Sequence, residues 1–295
     1  MILKSVVVPM LLGIFIVFTT ACTTPPPLRK LPERPAGSKT ERGVTWVPGV
    51  GIPKFGHCVR VLSIDGGGIR GIIPAMILAE IEKRTGRPIS ELFDLVVGTS
   101  TGSILVLGLT KPDPKHPDIP HYTAQQLVEL YVQEGQKIFP PGFDAFKNVK
   151  RIFSPKYSQR GLEEVLTKYF GDFSLREALT NVVIPAYEIE DRKHFFFESF
   201  SGRTNHLFMY EVAMAATAAP TYFPPIRLPM DPEDRSKGYA VLIDGGVFAN
   251  NPAIYALSKA SIVRTSKDIL LVSLGTGTVP QSIKFEEIWG WGLWR

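Results

Sequence analysis

Two cysteines, Cys22 and Cys58, allow one disulfide at most, and none if Cys22 is modified. Histidine is sparse as well. His57, His116, His121, His194 and His206 stand apart, and neither they nor the acidic residues fall at metal-ligand spacing. No metal site, and no calcium dependence, is therefore expected. Charge of one sign is not in large excess. A net +5 favours an anionic surface only mildly and separates lipid poorly from nucleic acid or from a bare solvated face. The sequence has no internal repeat and no second block of distinct composition. The apolar run at residues 6–18 is too short to span a bilayer comfortably.

Around that run the N-terminus has the marks of an export signal. Lys4 precedes the apolar stretch, and small residues lead to Ala21-Cys22. The end of this segment resembles the lipobox of bacterial lipoproteins, although Thr19 stands where leucine is usual. The expectation is a lipoprotein-type signal over 1–21, lipidation at Cys22, and an exported, membrane-anchored protein facing the periplasm or held at the outer membrane. A plain signal or an uncleaved anchor is the alternative. Residues 22–56 read as a tether, because seven prolines, from Pro25 to Pro53, forbid regular helix and apolar residues are too few for a core. Residues 57–295 remain as the folded domain. Within them Cys58 reads as a small core residue.

From Cys58 onward apolar strands alternate with helices. The pattern predicts strands from Val59, at 92–97, 182–188, 194–199, 239–244 and 268–274. It predicts helices from Ile72, from Thr101, and at 124–136, 161–170 and 209–217, with another opening at Asn251-Pro252. This is one α/β domain with a mainly parallel central sheet.

Three glycine turns follow strands. In RVLSIDGGGIRG, Gly66, Gly68 and Gly71 fit G-x-G-x-x-G, a form that serves either a dinucleotide pyrophosphate or an oxyanion. A nucleotide site wants an acid at the end of the next strand. That strand ends at Gly98 and delivers Ser100 instead, and Asp65 sits badly beside a pyrophosphate. The second turn, GTSTG, places Ser100 between Gly98 and Gly102 at a strand-to-helix elbow, the position of a nucleophile. A small-residue turn is the plainer reading. The third turn puts Asp244 at a strand's carboxyl edge, followed by Gly245 and Gly246. There Asp244 either caps a turn or serves as a base for Ser100. No histidine follows Asp244, so Asp244 cannot be the acid of a Ser, Asp, His order. A triad through His194 or His206 needs Glu190 or Asp191 in an irregular place.

Taken together, DGGGIRG, GTSTG and DGG in this order, with AATAAPTYFPP before the last, resemble the patatin-like phospholipase family from about Val59 to Gly277. The resemblance implies a three-layer α/β sandwich and a lipid acyl hydrolase working through a Ser–Asp dyad. It implies Ser100 as nucleophile, Asp244 as base, and Gly66, Gly67 and Gly68 as the oxyanion hole. Asp65, Arg70, Gly71, Gly98, Gly102, Gly245 and Gly246 support these motifs. No cofactor is implied. The expected partners are membrane phospholipids or other acyl lipids and a membrane surface, not nucleic acid. Ser103 stands where the family commonly has glycine and points into its helix. Family members usually continue with further helices, whereas this chain ends in EEIWGWGLWR. Trp289, Trp291 and Trp294 there form either a lipid-dipping patch or the stub of a core helix. An esterase or thioesterase on the same dyad, and a catalytically silent lipid-binding protein, are the competing readings.

Overall fold

The computed structural model describes residues 58–139, 160–231, 238–262 and 268–278, and gives backbone pairing for 5–10 and 14–19. Cys22, the tether at 22–56 and the three C-terminal tryptophans lie outside the described residues. Strands β1 (Ser5–Met10) and β2 (Ile14–Thr19) pair antiparallel as a separate two-stranded sheet.

The central sheet is built from β3 (Cys58–Ile64), β4 (Leu95–Gly98), β5 (Asn181–Glu188), β6 (Lys193–Glu198), β7 (Ile226–Pro229), β8 (Tyr239–Asp244) and β9 (Asp268–Leu274). Its order is β7-β8-β5-β4-β3-β9, with β6 also on β5. Strands β9, β3, β4 and β5 run parallel; β6, β7 and β8 run antiparallel to their neighbours. Its helices are α1 (Ile72–Thr85), α2 (Ile89–Leu92), α3 (Thr101–Thr110), α4 (Ala124–Ile138), α5 (Arg160–Phe170), α6 (Met209–Ala216), α7 (Gly246–Ala249) and α8 (Ala253–Ile262).

Alternation along the strands sorts their side chains between two helical layers. Leu62, Ile64, Val96, Val182 and Ile184 join the larger core with α1, α3, α4, α5 and α6. Val59, Val61, Leu95, Val97 and Val183 face Ala256 and Ala260 of α8 on the opposite side. The result is the three-layer sandwich, with a mostly parallel sheet. Helix α3 is buried at every residue, which accounts for a sequence, TGSILVLGLT, with no polar face.

Three expectations need correction. The strand placed at 92–97 begins only at Leu95, because Leu92 ends the short α2. Residues 226–229, not read as a strand, form the edge strand β7, whose pairing is supplied by β8 rather than by a local pattern. Cys58 is buried at the head of β3 but is disulfide-bonded, not a free core thiol.

Strand β5 decides where the site lies. It pairs with three strands, yet a strand has two edges. Residues 183–188 pair with β6, 181–183 with β4, and 186–188 with β8. Because β6 overlaps both partners' spans, β4 and β8 share the other edge, one after the other. Strand β4 runs parallel to β5 and β8 antiparallel, so their carboxyl ends converge. Pro185 falls in the gap between them. Its missing N–H breaks no ladder bond there, since Ser199 donates to Val182 and the even residues of β5 therefore face β6.

Candidate active site

The carboxyl end of β4 enters α3 through Ser100, whose backbone stands at φ 54°, ψ −121°. Few non-glycine residues adopt this left-handed conformation, and holding one costs on the order of 1–3 kcal/mol. Its neighbours hold it. Thr99 donates its N–H to Ile64 and its hydroxyl to Ala249, and the Ser103 hydroxyl donates to the Ser100 carbonyl at 2.5 Å. Ser103 thus braces the elbow from the first turn of α3. The flanking glycines are required by close approach. A Cβ at Gly98 would lie 2.3 Å from the Gly102 carbonyl oxygen, and one at Gly102 would lie 2.5 Å from that of Ile64. Gly102→Ala is therefore expected to lower stability by about 1–3 kcal/mol, read as a lower urea midpoint with an unchanged slope.

Asp244 ends β8 with its carboxyl buried, 4% exposed. It accepts the Gly246 N–H at 2.7 Å, and the Ser100 side chain is close enough to bear on its titration. Burial raises its pKa to about 6, against the lowering effect of both groups. Its own N–H donates to Ala218, in the segment AATAAPTYFPP. Gly245 passes over the gap in β5, where a Cβ would meet the Pro185 carbonyl oxygen at 2.4 Å. Residues 144 positions apart are thus brought together by two strands meeting head to head on β5.

The turn after β3 lies against the same serine. A Cβ on Gly66 would come within 3.2 Å of the Ser100 Cβ. Gly66 itself is held from both sides. It donates its N–H to the Asn250 carbonyl at 2.9 Å, and its carbonyl accepts from the Asn250 Nδ2 at 3.4 Å and the Thr276 hydroxyl at 2.8 Å. Its N–H is therefore committed within the protein, and Gly66 contributes position rather than a donor. The N–H groups of Gly67 and Gly68 have no acceptor among the described residues. Gly68 takes φ 59° and opens the 3-10 turn Gly68–Gly71 that leads into α1. Gly71 packs where a Cβ would meet the Thr101 hydroxyl at 2.3 Å, beside the buried Tyr131 hydroxyl. The Arg70 side chain is exposed.

Sequence reasoning missed Asn250, Thr276 and Thr99. Asn250 was legible only as the residue before an N-cap, and nothing local marks Thr276. The histidines do not assemble a triad: His194 lies stacked on Phe248, with ring centroids 4.1 Å apart, and Asp191 pairs with Lys193. A cavity of about 410 Å³ opens at the other end of β8, lined by Glu188, Lys193, Arg203 and Tyr239 among others. The Glu188 carboxylate there is taken up by the N–H groups of Glu190, Asp191 and Val241. That makes it a loop anchor rather than a reactive acid. No group of acidic, histidine and cysteine residues among the described residues is arranged to hold a metal ion.

The family model for patatin-like phospholipase matches residues 62–257. Patatin-like protein 2 of Arabidopsis thaliana is 36% identical over 269 residues, covering 82% of this chain and 66% of that protein. Patatin-like protein 1 of the same plant is 32% identical over 269 residues, covering 82% and 64%. Probable inactive patatin-3-Kuras 1 of Solanum tuberosum is 34% identical over 265 residues, covering 81% and 68%. The chain belongs to the patatin-like phospholipase family. It spans about two thirds of the length of these relatives.

Proposed function

We propose that this chain is a lipid acyl hydrolase of phospholipase A type, cleaving acyl esters of membrane lipids through Ser100 and Asp244. The observation that supports this reading is the placement of Ser100, on a positive-φ elbow, beside the buried Asp244 carboxyl and the glycine turn whose Gly67 and Gly68 N–H groups have no acceptor among the described residues. Asp244 takes the Ser100 proton as the hydroxyl oxygen bonds to the ester carbonyl carbon. The carbonyl oxygen becomes the anion that the Gly67 and Gly68 amides receive. Collapse breaks the bond to the lysolipid alkoxide, which leaves with the proton held by Asp244. Water, deprotonated by the same acid, then releases the fatty acid and restores the serine. A base with pKa about 6 is mostly ionised at neutral pH and more basic than an ordinary aspartate, which would be a poor base.

The test uses a fluorophosphonate probe and two substrates. The expected results are stoichiometric labelling on the Ser100 peptide and fatty acid released from phosphatidylcholine vesicles. Label on another residue overturns the nucleophile. Turnover of short-chain esters or thioesters without any vesicle hydrolysis assigns the same dyad to a soluble substrate, and no turnover of either leaves a silent lipid-binding protein.

Export and anchoring at Cys22 form a separate proposal. The chain holds two cysteines, so lipid on Cys22 and an intramolecular disulfide at Cys58 exclude each other. Palmitate labelling lost in Cys22→Ser supports the anchor. A mass that shows no acyl group and gains nothing on alkylation until the protein is reduced assigns both cysteines to the disulfide instead.

A further inference from the structure

Asp65 directly precedes the glycine turn, and its charge matters there for the same reason that it disfavours a pyrophosphate. A carboxylate one residue from Gly66 opposes any negative charge developing at Gly67 and Gly68. Yet the structure gives this side chain little of what a carboxylate needs. Oδ2, at the solvent-exposed edge, accepts the Asn251 Nδ2 at 3.3 Å and no other donor among the described residues. Oδ1 is buried and has no hydrogen-bond partner. Among the described residues the neighbours seen at Asp65 do not titrate: Asn251 before α8, Gly275 after β9, and Gly102 of α3 beside the Asp65 carbonyl. An uncharged carboxyl with one unpartnered oxygen costs far less to bury than a charged one.

We infer that Asp65 serves the reaction as an uncharged positioning residue, tying the glycine turn to Asn251 while keeping negative charge away from the developing oxyanion. The inference rests on the acyl hydrolase reading of the site. Burial agrees with it, raising the Asp65 pKa to about 7, with the Asn251 hydrogen bond the only opposing cause and no charged side chain contributing. The two acids of the site then hold opposite states in one pH window. Asp244 has to be ionised to act as base, and Asp65 has to keep its proton.

The experiment compares wild type, Asp65→Asn and Asn251→Ala on a short-chain ester from pH 5 to 9. Wild-type kcat/KM is expected to rise through about pH 6 and to fall above about pH 7, roughly tenfold per pH unit on each limb. Asp65→Asn, isosteric and uncharged, keeps the rise and loses the fall. Asn251→Ala removes the hydrogen bond that lowers the Asp65 pKa, so its fall moves to higher pH. A residue needed only for folding would shift neither limb. An alkaline fall that survives in Asp65→Asn overturns the inference; if that variant does not fold, an unmoved fall in Asn251→Ala does the same.

Stability gives a readout that needs no activity. The folded-state pKa lies above the unfolded one, so Asp65 withdraws stability from the wild type as pH rises from about 4 to about 7. The melting temperature of Asp65→Asn relative to wild type is therefore expected to climb over that range, and a constant difference counts against the inference. Failure of the hydrolase reading looks different: it removes the Ser100-dependent turnover and leaves this stability signature in place.

Discussion

Ser100→Ala is expected to abolish ester hydrolysis, with a loss of between roughly 10^4- and 10^6-fold, the range seen when one member of a cooperating nucleophile–base unit is removed. What remains should be the small rate enhancement due to binding and the oxyanion donors alone. The variant also changes Asp244. The Ser100 side chain lowers that acid's pKa, so losing its hydroxyl raises the value further and favours the protonated, silent form. Comparison with Ser100→Gly separates chemistry from backbone. Both variants lack the nucleophile, but glycine accepts φ 54°, ψ −121° and alanine does not. Ser100→Gly should accordingly be more stable than Ser100→Ala by about 1 kcal/mol or more, measured by urea unfolding. Equal activity in wild type and Ser100→Ala would remove the serine from the mechanism altogether.

Asp244→Asn has the second largest effect and acts in two directions. Turnover falls by on the order of 10^4-fold, because an amide cannot accept the serine proton. Stability at neutral pH rises. The sign follows from linkage: the folded-state pKa is about 6 and the ordinary value lies near 4, so the unfolded chain releases its proton first as pH rises. Wild-type stability then declines from about pH 4 to about pH 6 and levels off above. The asparagine variant lacks this decline, which is worth at most about 3 kcal/mol at one pKa unit per 1.36 kcal/mol. Thermal melts at pH 4.5 and pH 7.5 check it. The gain over wild type should be seen at the higher pH and shrink at the lower one, and a variant less stable than wild type at both would contradict the burial cost assigned to this acid. A site that is more stable without its base is one whose stability has been given up to function.

Most of the scaffold was legible from the chain. Runs such as VRVLSI at Val59–Ile64 and the strand at 239–244 announce themselves, because strands buried on both faces need near-continuous apolar sequence. The bounds of β8 and β9 were read as they stand. Strand β7 escaped because an edge strand of four residues owes its conformation to its partner, not to its own pattern. Leu92 was misplaced because one apolar residue at a boundary serves a helix end as well as a strand start. Cys58 is buried as its pattern implies, but its reading as a thiol held only if Cys22 is lipidated, a condition that sequence alone does not decide.

By itself the sequence determined the three turns and singled out Ser100 and Asp244 as the candidate nucleophile and base. Turn chemistry is local: glycine where a Cβ would strike a carbonyl, a small polar residue where the chain doubles back. What only the tertiary structure decided is how those turns act on one another. Two strands meet end to end on one edge of β5, Asn250 and Thr276 occupy both sides of the Gly66 peptide, and Asp65 is partly desolvated. These are contacts between residues as much as 210 positions apart, and desolvation is a property of everything that surrounds a group rather than of its neighbours along the chain.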